Sequence, residues 1–271
     1  MPPEISVGII GLGAIGLQVA KAIDQGQLTN LRLVAISSKN INKAAENVAT
    51  FAQVPCVTTI EEVVVKSDVV IECAPASIFD EISDTTVKFG KILIPASVGA
   101  LLPRMDLVEK AQETGAKIII PTGALIGLDA VRAAAEGIIE SIKLTTRKPP
   151  NGLAGAPYLI HNNISVENLD EAKLVFEGSA REGAKGFPAN VNVAAALSLA
   201  GIGPDKTALE IWADPKVDRN MHTITVEADS ARFTMTIENI PTVENPKTGK
   251  ITALSIIASL RRLTAPIVSG T

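Results

Sequence analysis

The sequence predicts an α/β protein: an N-terminal doubly wound parallel sheet joined to a second, α+β domain. Three observations carry this. Up to Pro121 the chain alternates short, wholly apolar runs with segments of helical spacing. Strands apolar on both faces and separated by helices build a parallel sheet covered on both sides. A glycine-rich turn, GLGAIG (Gly11–Gly16), lies between the first apolar run and the first helical one. After Pro121 the runs alternate apolar and polar residues, as strands with one covered face do.

The elements follow in order. ISVGIIG is the first buried strand, and AIGLQVAKAIDQG is a helix ending on glycine. LRLVAIS is the second strand; Asn40 is placed to cap the helix in NINKAAENVATFAQ. CVTT, DVVIECA, KILIPAS and AKIIIPT supply further strands. Beyond Pro121, LIGLDAVRAAAEGII reads as a helix, SIKLTTRKPP as a strand and EAKLVFEGSA as another. REGAKGFPANVNVAAALSLAG opens as a Gly/Pro-punctuated loop and becomes an Ala-rich helix. MHTITVEAD and RFTMTIENI, joined by ADSAR, form a hairpin beside TALEIWAD. The expected division is 1–121 for the first domain and 122–248 for the second. A C-terminal helix in 249–271 is expected to pack back on the first domain.

Composition narrows the function. Of 271 residues 46% are hydrophobic, enough for a sizeable core. The net charge of −4 is spread along the chain, with no basic block for nucleic acid or a membrane surface. Mean hydropathy is positive at +0.29, yet no apolar run approaches the roughly 20 residues of a spanning helix. MPPEISVGII has neither the basic start nor the cleavage site of a secretory leader. A soluble, cytoplasmic protein is expected. Two cysteines, Cys56 and Cys73, exclude a disulfide scaffold. Both lie in apolar stretches and read as buried structural thiols in preference to a catalytic one. No His, Cys and acid cluster has metal-ligand spacing, so no metal is predicted.

The glycine turn is the sharpest motif. Gly11, Gly13 and Gly16 have the G-x-G-x-x-G spacing, after a strand and at a helix start, which is the context that makes the motif a dinucleotide site. Gly11 permits the tight turn, Gly13 lets a pyrophosphate approach, and Gly16 lets helix pack on strand. Ala14 and Ile15 open the helix, whose positive end faces the phosphates. This is the Rossmann arrangement, with NAD or NADP as cofactor. At the end of the second strand an NAD-preferring site usually carries Asp or Glu. Here Ser37, Ser38 and Lys39 stand there, two hydroxyls and an ammonium that accommodate a 2′-phosphate. NADP should be accepted. The alternative is an ordinary solvated loop.

GLGAIG, SVGAL (Ser97–Leu101), PTGALIGLDAVRAA (Pro121–Ala134), KGFPANVNVAAALSLAG (Lys185–Gly201) and DRNMHTI (Asp218–Ile224) together resemble the L-aspartate dehydrogenase family over essentially the whole chain. The resemblance implies reversible NAD(P)-dependent oxidative deamination of L-aspartate through iminoaspartate to oxaloacetate and ammonia. It implies a homodimer, and a product able to feed NAD biosynthesis. It points to His222, in RNMH, as the catalytic histidine, and to Ala124 and Asn190 as cofactor contacts. The chemistry agrees: water must add to an imine and ammonia must leave. A histidine near its ordinary pKa suits both proton transfers.

Two carboxylates on the substrate call for cations or strong donors. Arg147, Lys148, Lys185 and Arg219 are candidates, with Asn192. Asn190 is equally placed to cap the following helix. Asp129, early in a helix, is a favourable first-turn acid or a site residue. His161 reads as a surface or loop histidine. Two other readings stand beside the aspartate one. The first is a dehydrogenase of similar layout, acting on homoserine or on dihydrodipicolinate. The second is a non-enzymatic NAD(P) sensor, since fold does not fix function.

Overall fold

The computed structural model describes residues 4–188, 191–242 and 249–271. The chain divides into two compact units, Met1–Pro121 with Thr252–Val268, and Thr122–Ile251 with Ser269–Thr271.

In the first unit, strands β1 (Ile5–Ile10), β2 (Leu31–Ser37), β3 (Cys56–Val57), β4 (Val69–Glu72), β5 (Ile92–Pro95) and β6 (Lys117–Ile118) form one sheet in the order β3-β2-β1-β4-β5-β6. Every pairing is parallel. This is the doubly wound order, and its switch point lies between β1 and β4, where ligands bind at the carboxyl ends of strands. Helices α1 (Ala14–Asp24), α2 (Ile41–Val48), α3 (Ile60–Lys66), α4 (Phe79–Lys88), α5 (Val98–Leu101) and α6 (Asp106–Thr114) connect the strands. Asn40 caps α2, accepting from the Lys43 N–H at 3.0 Å. Val19, Ala20 and Ile23 of α1 pack with Val7, Ile9, Leu33 and Ile71 in one core layer. Ala253, Ile256, Ile257 and Leu260, from a C-terminal helix over Lys250–Thr264, join that layer. Val63, Val64 and Ile82 fill the other layer with Ile10, Val70 and Leu93.

In the second unit, β7 (Ile139–Lys148), β8 (Lys173–Ser179), β9 (Thr207–Ala213), β10 (Met221–Ala228) and β11 (Arg232–Glu238) form a sheet ordered β11-β10-β7-β9-β8. All pairs are antiparallel except β7 with β9. β10 and β11 form the expected hairpin, closed by the Ala228 N–H to the Ala231 carbonyl at 2.9 Å. Ile142, Leu144, Leu209, Ile211, Ile224 and Val226 are buried on one face. Helices α7 (Leu128–Ala135), α8 (Pro157–His161), α9 (Ala180–Gly186) and α10 (Asn192–Ala200) complete the unit; the C-terminal helix of the first unit is α11.

Three local expectations are corrected. Residues 181–186, read as the start of a loop, belong to helix α9. The helix is started by a capping box: Ser179 Oγ accepts from the Glu182 N–H, and the Glu182 carboxylate accepts from the Ser179 N–H. Its glycines serve packing, since a Cβ at Gly183 would overlap the Leu209 side chain. The helix expected from Leu125 begins only at Leu128, because Gly127 in left-handed conformation (φ 72°) starts it. Cys56 is exposed rather than buried, because its two-residue strand β3 is an edge paired on one side only. Cys73 is half-buried, and burial, with the Glu72 charge second, pushes its thiol well above the ordinary range. Among the described residues no helix is long and apolar enough to cross a membrane.

Candidate active site

The glycine turn in the first unit is built as a cradle. Gly11 has φ 96°, and its N–H donates to the Ser37 carbonyl at 2.8 Å, tying the turn to the end of β2. A side chain at Gly11 would overlap the Cys73 carbonyl, and one at Gly16 would overlap the Gly11 carbonyl. A Cβ at Gly13 would meet nothing within 4 Å, so the surface above it is open. Gly13 is also the N-cap of α1, with no side-chain cap and no acid in the first turn. Ala14 and Ile15 thus present N–H groups and a positive dipole end that no side chain neutralises, which suits a pyrophosphate. Ser37 and Ser38 are half-buried at the strand end and Lys39 is exposed just beyond.

Glu72 borders this turn and was not picked out in the sequence. It is wholly buried at the end of β4. Its carboxylate accepts from the Ala74 N–H at 3.0 Å, the Ser97 N–H at 2.9 Å and the Ser97 hydroxyl at 3.0 Å. Burial pushes its pKa up against the pull of those donors. The carboxylate joins the β4 and β5 loops at the edge where a dinucleotide lies in this fold.

The second unit concentrates polar side chains on the buried face of its sheet. Antiparallel register sets His222 on β10 directly opposite Thr146 on β7. Lys148 stands two residues beyond Thr146, on the same face because side chains alternate along a strand. Relative exposures are 2% for His222, 3% for Thr146 and 6% for Lys148. His222 Nδ1 and Thr146 Oγ1 are hydrogen-bonded at 3.0 Å. Burial, with the Lys148 charge second, lowers the His222 pKa to about 3. Burial lowers Lys148 to about 8. The sequence-based expectation of a histidine near its ordinary pKa is therefore corrected: the ring is held neutral at pH 7 by its surroundings.

The same alternation turns Arg147 to the opposite face. There its guanidinium bonds Asp214 at 3.0 Å and lies 4.9 Å from the centre of the Trp212 ring. Arg219 forms a two-pronged pair with its neighbour Asp218, at 2.7 and 2.8 Å. Lys185, in the last turn of α9, and Asn192, first in α10, are exposed. Asn190 lies outside the described residues. Of the proposed carboxylate partners, Lys148 is the one placed with His222. Asp129 sits in the first turn of α7 and its carbonyl accepts from the Thr271 hydroxyl at 3.0 Å. His161 ends α8 and is exposed, as expected of a surface histidine.

Ala124 lies in a turn closed by the Leu125 N–H to the Thr122 carbonyl at 3.1 Å. Its own carbonyl accepts from Asn239 Nδ2 at 3.0 Å. Thr146 was not singled out in the sequence, though its signal is there: in IKLTTRK a period of two puts Thr146 and Lys148 with Ile142 and Leu144. Nothing local marks Asn239, which reaches Ala124 across 115 residues of sequence.

Comparison with known proteins decides the family. A family model described as aspartate dehydrogenase, C-terminal, matches residues 129–263. L-aspartate dehydrogenase of Bradyrhizobium diazoefficiens is 54% identical over 99% of this chain and 95% of its own length. The chain belongs to the L-aspartate dehydrogenase family. L-aspartate dehydrogenase 3 of Bordetella bronchiseptica is 49% identical over 99% of this chain and 98% of its own. The NAD-binding domain model of homoserine dehydrogenase matches residues 11–121, the half that holds the glycine cradle. The fold of this family member is that of the aspartate dehydrogenase of Thermotoga maritima, with a TM-score of 0.74 at 24% identity over 98% of this chain and 99% of that one. A homoserine dehydrogenase of Thiobacillus denitrificans scores 0.62 at 14% identity over 97% of this chain and 74% of that one. Family membership therefore favours the aspartate reading over the homoserine, dihydrodipicolinate and sensor alternatives.

Proposed function

We propose that the chain is an NAD(P)-dependent L-aspartate dehydrogenase, interconverting L-aspartate with oxaloacetate and ammonia. The observation that carries this is the buried Thr146–His222–Lys148 cluster, in the half of the chain matched by the family's C-terminal model. A bound nicotinamide dinucleotide supplies the hydride acceptor for Cα–H. The glycine turn and the first turn of α1 hold its pyrophosphate, and Ala124 and Asn190 contact it as the family resemblance implies.

His222 serves the water-addition step. For Nε2 to accept a proton, Nδ1 carries the hydrogen and donates it to Thr146 Oγ1, which fixes the ring's orientation. Water adds to the imine carbon of iminoaspartate and gives its proton to Nε2. The carbinolamine nitrogen takes that proton back from Nε2, ammonia leaves, and the hydroxyl proton passes to Nε2 as the C–O bond becomes the ketone of oxaloacetate. The lowered pKa of the ring defines what the substrate must bring. Imidazolium is too costly in this pocket alone, and the two substrate carboxylates offset it. Lys148, protonated for the most part at pH 7, pairs with one of those carboxylates. Lys185, Arg219 and Asn192 are the remaining candidates for the other; Arg147, turned to the opposite face and paired with Asp214, is not.

Ser37, Ser38 and Lys39 place no carboxylate against a 2′-phosphate, so NADP is used alongside NAD. A homodimer in the cytoplasm belongs to the same proposal, and light scattering and cell fractionation test it. The decisive assay mixes the protein with oxaloacetate, ammonium and NADPH or NADH and follows reduced nicotinamide absorbance. Ammonium-dependent oxidation is expected with both coenzymes. Oxidation without ammonium would identify a keto-acid reductase instead, and binding without oxidation would identify a sensor.

A further inference from the structure

Asn239 follows β11 by one residue, is 4% exposed, and joins two segments that sequence similarity had singled out separately. Its backbone N–H donates to the Asn220 carbonyl at 2.8 Å, one residue before β10 and two before His222. Its side-chain Nδ2 donates to the Ala124 carbonyl at 3.0 Å. The Ala124 turn and the approach to His222 are thus fixed by one residue, through two different groups.

The other end of the amide is unusual. Asn239 Oδ1 is buried without a hydrogen-bond partner among the described residues. It lies against Gly249, where an added Cβ would stand 3.1 Å from it. A buried acceptor without a donor is a penalty. An apolar side chain of the same shape would avoid that penalty and would lose the hold on Ala124. The amide is therefore tolerated for its donor end.

We infer that Asn239 is a positioning residue whose Nδ2 sets the orientation of the Ala124 turn for dinucleotide binding, while its backbone N–H independently holds the segment leading to His222. This rests on the proposed role of Ala124 as a cofactor contact. It separates two effects that a general loss of structure would mix. Changing the side chain removes the bond to Ala124 and leaves the backbone bond to Asn220. Dinucleotide affinity falls, and the proton-transfer step at His222 is largely spared.

The test uses Asn239→Asp and Asn239→Ala in the full chain. NADPH affinity is read by the fluorescence of the bound coenzyme, beside kcat and thermal midpoint. At about pH 8 the aspartate is an anion and cannot donate. Affinity should fall roughly tenfold, the size of one lost buried hydrogen bond, with kcat within about threefold. Towards about pH 5.5 the buried carboxyl takes up a proton, and its O–H replaces Nδ2 as donor to the Ala124 carbonyl. The ratio of Asn239→Asp to unaltered affinity should return towards one. Asn239→Ala, which has no donor at any pH, should stay weak throughout. A ratio for Asn239→Asp that is flat with pH would overturn the inference, as would equal losses of affinity and kcat with a lowered thermal midpoint. Should Asn239→Asp not fold at the higher pH, Asn239→Ser, too short to reach Ala124, must show the pH-independent loss of affinity with kcat spared. An unaltered protein that binds no NADPH would instead refute the proposed function itself.

Discussion

The two faces of the second-unit sheet carry charged residues in opposite ways, though the same strands supply both. On the open face Lys143 pairs with Glu210 at 2.5 Å, and Arg147 pairs with Asp214 and lies over Trp212. On the covered face Thr146, Lys148 and His222 sit among Ile142, Leu144 and Ile224, all nearly inaccessible. On the open face the cations Lys143 and Arg147 are half-exposed and each is paired with a largely covered carboxylate, Glu210 or Asp214, so neither charge stands alone. Charges on the covered face are expensive, as the depressed pKa values of Lys148 and His222 register. Groups held in costly states with shifted pKa are the ones a site requires. One residue of register separates Arg147 from Lys148, and it separates a surface ion pair from a candidate ligand for substrate.

Replacing His222 by alanine should lower kcat by about two to four orders of magnitude, the usual contribution of a proton-transfer group. Coenzyme affinity, read by fluorescence titration, should change less than about twofold. Full turnover by that variant would remove His222 from the mechanism.

Thr146→Val is nearly isosteric and removes the hydroxyl that holds Nδ1. A fall in kcat of roughly tenfold is expected, with recovery in Thr146→Ser, which restores a hydroxyl. A loss shared equally by the valine and serine variants would mean that packing, not the hydrogen bond, is what Thr146 provides.

The covered face also predicts how stability varies with pH. His222 titrates near 3 in the folded chain and near its ordinary 6.5 when unfolded. Between those values the unfolded chain binds a proton that the folded one does not. Stability is therefore full above about pH 6.5 and is lost as pH falls towards 3. Lys148, lowered to about 8 from 10.5, works in the same sense in the alkaline range: stability rises between those two values. Urea unfolding at a series of pH values should show both slopes, and His222→Gln should flatten the acid one. An acid slope unchanged in that variant would assign it to other groups.

How much of this was legible in the sequence depends on the range of each signal. The glycine turn was legible because its requirements are local: Gly11 needs a positive φ and Gly16 a missing side chain, and both are met within one strand–turn–helix unit. Helix α9 was not, because Gly183 and Gly186 read as loop punctuation until Leu209 and Tyr158 are seen against them. His222 was found through its motif, but its depressed pKa was invisible, since that depends on burial and on Lys148 from another strand. Arg147 and Lys148 were weighed equally as neighbours in TTRKPP. Alternation along β7 was enough to separate them once one face was known to be covered. Asn239 had no signal at all, because its partners lie 115 and 19 residues away.

The proposed substrate site lies on the covered face of the second-unit sheet, not on the open one. Lys148→Met and Arg147→Met, assayed side by side for ammonium-dependent reduction of oxaloacetate, test it most directly. Lys148→Met should lose about ten- to a hundredfold in kcat/KM, mainly through a raised KM for oxaloacetate, the scale of one charge-assisted carboxylate contact. Arg147→Met should stay within about twofold. The reverse pattern, with Arg147→Met impaired and Lys148→Met active, would contradict the assignment of the site to the covered face.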